Sequence, residues 1–224
     1  MIFQYSPFFI PLLIAAAITG ALAVISFRRR SDPIILYFIL LMGATTLWIL
    51  AYAVQISSAD LGTNLTMITI AYLGIMTIPV VWLFLILCYL GYVNLITPRN
   101  SLLLLIVPIA VVLLVATNTW HHLVYTAFAP EAIDGVIIWN FFPGPLYWFA
   151  LGYSYLLLVI TFLLIASRYL HSPAVYRKQI LILLIAAGIP FLANILFVSQ
   201  VNPFPGLNIT PFSFRLAASA AFLA

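Results

Sequence analysis

Charge is what this sequence has least of. Only 5% of its 224 residues are charged, eight basic and four acidic, whereas an average soluble domain has about 25%. Hydrophobic residues make up 66% of the chain, and a protein folded in water could not hide so much apolar surface. The composition therefore predicts a polytopic membrane protein, with the lipid bilayer as its first partner.

Cysteine and the usual catalytic groups are also scarce. The single cysteine, Cys88, lies in an apolar run, which excludes a disulfide framework and a thiolate metal site. His121 and His122 are adjacent, and their spacing to the acidic residues matches no metal-ligand pattern. We therefore predict no catalytic residue, no metal and no cofactor. The net charge of +4 is interpreted as loop asymmetry rather than as a nucleic-acid surface.

Apolar runs alternate with polar links along the whole chain. Six runs lie at 7–27, 33–56, 65–92, 101–116, 146–170 and 180–198. The seventh begins near Thr210 and holds only 15 residues up to Ala224, whereas a transmembrane helix needs about 20. The prediction is an all-α membrane protein, one seven-transmembrane domain over residues 1–224. Its seventh helix is expected to be cut short, with cytoplasmic signalling domains missing from this sequence.

Lysine and arginine are confined to one set of links. Seven of the eight basic residues flank or fill the links after the first, third and fifth runs, namely Arg28, Arg29, Arg30, Arg99, Arg168, Arg177 and Lys178. The loops on the other side have none and hold Asp60, Glu131 and Asp134. Basic residues are enriched in cytoplasmic loops. The prediction is a multi-pass protein of the cell membrane, N-terminus outside and C-terminus in the cytoplasm.

The longest interruption between apolar runs separates the fourth run from the fifth, within residues 117–155. Its segments LVYTAF and VIIWNFF are rich in branched and aromatic residues, and Asp134-Gly135 between them is typical of a turn. We interpret this long outer loop as a β-hairpin over the mouth of the bundle. An irregular loop whose aromatic residues lie in the headgroup region is the alternative.

Polar and aromatic side chains recur on single faces of the predicted spans. In the second run, Trp48, Tyr52 and Gln55 continue from Thr45 at helical spacing, so they share one face. An aromatic pocket with a few polar anchors is typical of small-molecule sites. We predict a site for an unknown small ligand, formed by Trp48, Tyr52, Gln55, His121, Trp148, Tyr153, Tyr155, Asn194 and Arg215. Packing between helices is the alternative role for such residues.

Two members of this set carry further alternatives. His121 could instead cap the long loop by hydrogen bonding. Apart from Arg168 near the end of the fifth run, Arg215 is the only charge within an apolar run, so it requires a carboxylate, an anionic ligand or a route by which it snorkels to the surface.

A series of motifs in a fixed order resembles one known family. The motifs comprise Pro79, Phe84, Tyr89 and Gly91; Thr117, Asn118, His121 and Leu123; Gly144, Pro145, Trp148, Tyr153, Ser154 and Tyr155; and Tyr176, Arg177, Gln179, Pro190 and Asn194. In this order they resemble the N-terminal seven-transmembrane sensor region of prokaryotic histidine kinases. That family opens its seventh span with Asp-x-Thr-Pro, whereas this sequence has Asn208-Ile-Thr210-Pro211, which weakens any proposal that this position binds a cation.

The resemblance implies a heptahelical sensory input module joined to a cytoplasmic kinase or other effector domain. In the mechanism that we hypothesise, a conformational change passes to that domain within a homodimer. No kinase motif occurs in these residues, so the chain itself is not expected to be an enzyme. A retinal protein is nearly excluded, because the only lysine, Lys178, lies in a link. A transporter, or a sensor of the bilayer or of a partner protein without a small ligand, stays open as an alternative.

Overall fold

The computed structural model describes residues 3–133, 136–171 and 173–199, together with Thr210 and Ser213. In this part of the chain, seven helices and two strands follow one another: α1 Phe9–Ser26, α2 Pro33–Ile56, α3 Leu61–Tyr89, α4 Pro98–Ala116, the single turn α5 Asn118–His121, β1 Tyr125–Ile133, β2 Val136–Pro143, α6 Pro145–His171 and α7 Ala174–Val198. The seventh predicted span lies outside the described residues apart from Thr210 and Ser213.

Five of the described helices are long and apolar enough to cross a membrane: α1 extended to Arg29, α2, α3, α4 and α6. In α7, the described apolar part is Gly188–Val198. The prediction of a mostly helical, multi-pass membrane protein is therefore confirmed. The count of seven spans and the side on which each terminus lies stay predictions.

Helices α2 and α3 begin where the side chain of an aspartate caps their first turn. Asp32 accepts a hydrogen bond from the Ile34 amide at 2.9 Å, and Pro33 occupies the first position of α2. Asp60 accepts from both the amide and the hydroxyl of Thr63, at 2.9 and 2.8 Å. These hydrogen bonds hold the pKa of the Asp60 carboxyl below its ordinary value. The caps fix where α2 and α3 begin.

Helix α3 is the central element of the bundle. It packs against α2, α4 and α6, and 78% of its most apolar window is buried. Its crossing with α2 is close at Gly74, where an added Cβ would overlap the Ala44 carbonyl oxygen and lie 3.0 Å from the Trp48 Cβ. Glycine at this position therefore sets the distance between the two helices.

Strands β1 and β2 form an antiparallel hairpin. Phe128 pairs with Phe141 and Pro130 with Trp139, with a register shift near Tyr125. The predicted hairpin is thus confirmed, and β1 extends further than the segment LVYTAF. The predicted turn residues, Asp134-Gly135, lie outside the described residues.

One end of the bundle gathers three segments that contain no lysine or arginine. Phe3 forms a bridge with Ser58 in the link between α2 and α3, and the Gln4 amide donates to the Ser57 carbonyl at 2.9 Å. The Gln4 side chain also reaches β2. The N-terminal segment, this link and the hairpin therefore lie together. We refer to this as the hairpin end, and the arginines that follow α1 and α3 lie at the opposite end.

Candidate functional site

A cavity of about 790 Å³ lies beneath the hairpin. Helices α2, α3, α6 and α7 form its walls, and the hairpin of β1 and β2 forms its roof. Thr210 also lines it. Along α2 the lining extends from Leu41 to Ile56, and along α3 from Asn64 to Trp82. The volume is within the range of small-molecule sites.

The wall between α6 and α7 is held by a polar contact. The Tyr155 hydroxyl donates to the Asn194 Oδ1 at 2.7 Å, and the Asn194 Nδ2 donates to the Thr210 Oγ1 at 3.4 Å. The Tyr155 ring also meets Phe191 edge-on, with 5.1 Å between ring centroids. These contacts connect three separate parts of the chain at the cavity wall.

The roof is anchored to α3 by a pair of tyrosines. The hydroxyls of Tyr72 and Tyr125 are 2.8 Å apart and both residues are buried. The Tyr125 ring also packs against Phe141 and Tyr147, at centroid distances of 5.2 and 5.9 Å. Burial raises the pKa of Tyr125 well above its ordinary value, so its hydroxyl stays protonated and keeps its hydrogen bond.

The base of the hairpin is fixed by Asn118, which is only 2% exposed. Its Oδ1 accepts from the amides of Val124 and Tyr125 at 2.9 and 3.1 Å, and its Nδ2 donates to the Tyr125 carbonyl at 2.9 Å. On the other strand, the Gly144 amide donates to the Val124 carbonyl at 2.8 Å. A Cβ on Gly144 would overlap the Leu123 carbonyl oxygen, so the two strand ends meet at a position that requires glycine.

The far part of the hairpin is attached by fewer contacts. The Gln4 side chain donates to the Ile137 carbonyl at 2.6 Å and accepts from the Ile137 amide at 2.9 Å. The Trp139 indole N–H donates to the Ala59 carbonyl at 3.0 Å. We refer to these three hydrogen bonds as the latch, because they tie the roof of the cavity to the N-terminal segment and to the α2–α3 link.

A family model described as the N-terminal 7TM region of histidine kinase matches residues 11–224. The chain belongs to this family. No curated protein matches the chain at a significant level. The resemblance inferred from the motifs is confirmed, and the chain is a membrane-embedded sensor region from a signal-transduction protein with a cytoplasmic effector. The matched region is the sensor part of such a kinase and not its catalytic part.

Six of the nine predicted site residues line the cavity of this sensor region: Trp48, Tyr52, Gln55, Trp148, Tyr155 and Asn194. They come from α2, α6 and α7, and the structure brings them around one space.

The structure places two of the other three elsewhere. Tyr153 points away from the cavity and its hydroxyl donates to the Leu104 carbonyl of α4 at 2.5 Å. The His121 ring caps its own loop, because its Nδ1 accepts from the Leu123 amide at 3.0 Å and its Nε2 lies 3.1 Å from the Leu114 carbonyl oxygen. Neither residue is included in the ligand site below, and Arg215 lies outside the described residues.

Several lining residues of the sensor region were not predicted, above all those of α3. Tyr72, Ile75, Pro79 and Trp82 all line the cavity. Their spacing repeats that of Thr45, Trp48, Tyr52 and Gln55 in the second run, so the same face pattern was present in the sequence. The hairpin residue Trp139 lines the cavity as well.

Charged groups are almost absent from the lining. Among the described lining residues, Glu131 is the only one with a formal charge, and it accepts a hydrogen bond from the Asn140 side chain at 2.6 Å. In the described part of the chain, no three His, Cys, Asp or Glu residues are grouped as a metal site requires. The site is suited to bind a molecule by apolar contact and a few hydrogen bonds.

Weakening the latch is expected to loosen the roof without unfolding the bundle. The double variant Gln4→Ala/Trp139→Phe loses the three hydrogen bonds of the latch, each worth about 1 kcal/mol, and a longer one of 3.5 Å from the Gln4 side chain to the Ile56 carbonyl. Amide hydrogen exchange across 136–143, measured by mass spectrometry, should therefore become at least about tenfold faster. Trp120→Phe is the matched control, since Trp120 is 85% exposed. Equal exchange in the double variant and in the control would contradict the latch.

Proposed function

We propose that this chain is the sensory input module of a histidine kinase and that it binds a small ligand in the cavity beneath the hairpin. The observation that carries the proposal is the cavity itself. About 790 Å³ of aromatic-lined space is roofed by a separate element, in a chain that belongs to a family of sensor regions. Such a space is larger than helix packing alone requires.

In this proposal the hairpin end faces the outside of the cell. The basic residues Arg28, Arg29, Arg30 and Arg99 lie at the opposite end, as expected for the cytoplasmic side. Seven spans then place the N-terminus outside and the C-terminus in the cytoplasm, next to the effector domain. A ligand from outside or from the bilayer would occupy the outer half of the bundle.

The contact of Tyr155 with Asn194 offers a route for the signal. Asn194 lies on α7 and also contacts Thr210, at the start of the predicted seventh span. One turn before it, Pro190 lies within the helix and lines the cavity, and a proline inside a helix removes a hydrogen bond and permits a bend. A ligand that touches this wall would favour one packing of α6 and α7 over another by its differential affinity for the two. A homodimer would pass that change to paired effector domains.

Removing the Tyr155 hydroxyl is expected to change the output of the full-length protein. Tyr155→Phe loses the hydrogen bond to Asn194, which is worth about 1 kcal/mol. The equilibrium between the two packings of α6 and α7 should therefore shift about fivefold, and the basal autophosphorylation rate should change with it. The rate is measured as phosphate incorporation in isolated membranes at equal protein amounts. Trp148→Ala, which opens the same cavity, should also alter it.

Tyr153→Phe is the matched control for this test. It also removes one tyrosine hydroxyl from α6, but that hydroxyl bonds to α4 and lies away from the cavity. If Tyr155→Phe and Trp148→Ala both leave autophosphorylation at the rate of this control, the proposed site and relay are wrong.

A further inference from the structure

We propose that the ligand is an elongated amphiphile, with one apolar chain in the deep part of the cavity and an uncharged hydrogen-bonding head beneath the hairpin. This inference rests on the proposed function, because it names the chemical class that the same cavity takes.

The shape of the cavity is the first reason to expect an elongated ligand. The lining of α2 from Leu41 to Ile56 extends about 22 Å, and that of α3 from Asn64 to Trp82 about 27 Å. The lining therefore follows both helices over most of a membrane thickness. A space that extends so far along the bundle suits a chain-like molecule better than a compact one.

The change in polarity along the cavity is the second reason, and it indicates an amphiphile. The deep part is lined by the apolar residues Leu41, Met42, Ile78, Pro79 and Leu158 and by the indole of Trp82. Polar side chains enter the lining only towards the hairpin, at Ser154, Tyr155 and Asn194, and then at Gln55, Asn64 and Asn140. A compact polar metabolite would leave the deep part empty, whereas an apolar chain fills it and gains contact along its length.

The charge of the described lining is the third reason, and it indicates an uncharged head group. Within the described lining no basic side chain is present, and the single carboxylate, Glu131, lies at the hairpin. An anionic head placed there would meet no opposite charge among the described lining residues and would face the like charge of Glu131, which is unfavourable. The amides of Gln55 and Asn140 are able to bond a hydroxyl or amide head without any charge.

Bromine-labelled amphiphiles test this placement, because bromine quenches tryptophan fluorescence at short range. Trp82 marks the deep part, Trp139 marks the roof, and Trp120 is 85% exposed and lies outside the cavity. The probe is a 1-monoacylglycerol that carries bromine either at the methyl end of its chain or beside the glycerol. The protein is the full-length chain in lipid nanodiscs, with Trp82→Phe, Trp139→Phe and Trp120→Phe as matched variants.

Quenching that saturates with the mole fraction of the probe is the expected result. With bromine at the methyl end, the saturable part should fall most in Trp82→Phe. With bromine beside the glycerol, it should fall most in Trp139→Phe. Trp120→Phe should lose only the part of the quenching that increases linearly with the mole fraction of the probe. The same pattern with the two bromine positions exchanged would overturn the orientation, and a purely linear response in every variant would overturn the ligand class.

The head group is tested by competition against the brominated probe. A fatty acid of equal chain length should compete about tenfold more weakly than the unbrominated monoacylglycerol, because its carboxylate faces Glu131 and finds no basic partner in the described lining. Stronger competition by the fatty acid or by an alkyltrimethylammonium would overturn the uncharged head. The two possible sources of such an amphiphile, water and the bilayer, are distinguished by the concentration on which the quenching depends. Quenching that follows the aqueous concentration of a short-chain probe indicates uptake from water, and quenching that follows its mole fraction in the disc indicates uptake from the bilayer.

This inference and the proposed function fail in different ways. If no probe quenches Trp82 saturably while Tyr155→Phe still changes autophosphorylation, the amphiphile is wrong and the cavity takes another ligand. If Tyr155→Phe and Trp148→Ala are silent as well, the proposed function fails together with it.

Discussion

Replacing Gly74 by alanine is expected to destabilise the bundle by about 3 kcal/mol, although alanine favours helix by about 1 kcal/mol over glycine. The added Cβ would overlap the Ala44 carbonyl oxygen and lie 3.2 Å from the Trp48 amide nitrogen. Both neighbours are main-chain atoms, so no side chain is able to turn away and α2 itself must move. Since Trp48 lines the cavity, the shift should also change the ligand site.

The same substitution at Gly152 is the matched control. Gly152 lies within α6, and nothing lies within 4 Å of the position that its Cβ would take. Gly152→Ala should therefore leave the unfolding temperature in detergent unchanged or raise it, whereas Gly74→Ala should lower it. Equal unfolding temperatures for the two variants would show that α2 and α3 are not in close contact at Gly74.

The boundaries of the helices could be predicted only where the starting signal lies next to the apolar run. The run 33–56 follows Ser31-Asp32-Pro33 directly, and α2 has these bounds. Helices α3 and α4 begin earlier than predicted, at Leu61 and Pro98, because their caps Asp60 and Thr97 lie within the polar links. The hydropathy of a run does not show how far a capped helix extends into the adjacent polar link.

The hairpin was predictable in kind but not in extent. Its branched and aromatic segments indicated strands, and β1 and β2 are paired there. The residues Ala129–Ile133 include a proline and a glutamate, which disfavour strands, yet they pair with Val136–Asn140. In a two-stranded sheet both strands are edges, so Pro130 is tolerated when its missing N–H faces outward.

The lining of the cavity was predictable on those faces where polar or aromatic residues contrast with an apolar background. Trp48, Tyr52 and Gln55 share a face by spacing, and all three line the cavity. Tyr153 does not, because two residues along a helix are about 200° apart around its axis, so it and Tyr155 face different neighbours.

The lining of α3 gave less signal because apolar residues occur on every side of that run, and its most apolar window is 78% buried. The face of Tyr72, Ile75, Pro79 and Trp82 therefore stands out little in the sequence, and the packing of α2 and α6 against α3 identifies it as the face that meets the cavity. The role of His121 also depends on tertiary structure, since the left-handed backbone of His122, with φ of 52°, turns the chain so that the His121 ring caps the loop.

The attachment of the hairpin suggests which part of the roof moves. Its base is held by buried hydrogen bonds at Asn118 and by the Tyr72–Tyr125 pair. The latch consists of hydrogen bonds from two side chains, and those of Gln4 are exposed. Exposed hydrogen bonds open more readily than buried ones. The base is therefore the fixed side of the roof, and the proposed ligand would enter on the latch side.

Replacing Asn118 by alanine is expected to release this fixed side. The variant loses three hydrogen bonds and leaves the amides of Val124 and Tyr125 buried without a partner, which costs about 3–5 kcal/mol in total. Hydrogen exchange across 124–143 should become faster at both ends of the hairpin, whereas the latch variant accelerates it only across 136–143. The unfolding temperature in detergent should fall as well.

Asn100→Ala provides the matched control for this prediction, since Asn100 is exposed and its side chain donates one hydrogen bond, to the Leu95 carbonyl at 2.8 Å. Asn118→Asp is the informative second variant. Its carboxylate keeps acceptors for the two amides but places negative charge beside the Tyr125 carbonyl oxygen, so its exchange rates should lie between those of Asn118→Ala and the unmodified chain. If Asn118→Ala exchanges no faster than Asn100→Ala, strand pairing and the tyrosine pair hold the base without Asn118, and the fixed side of the roof lies at Tyr72 and Tyr125 instead.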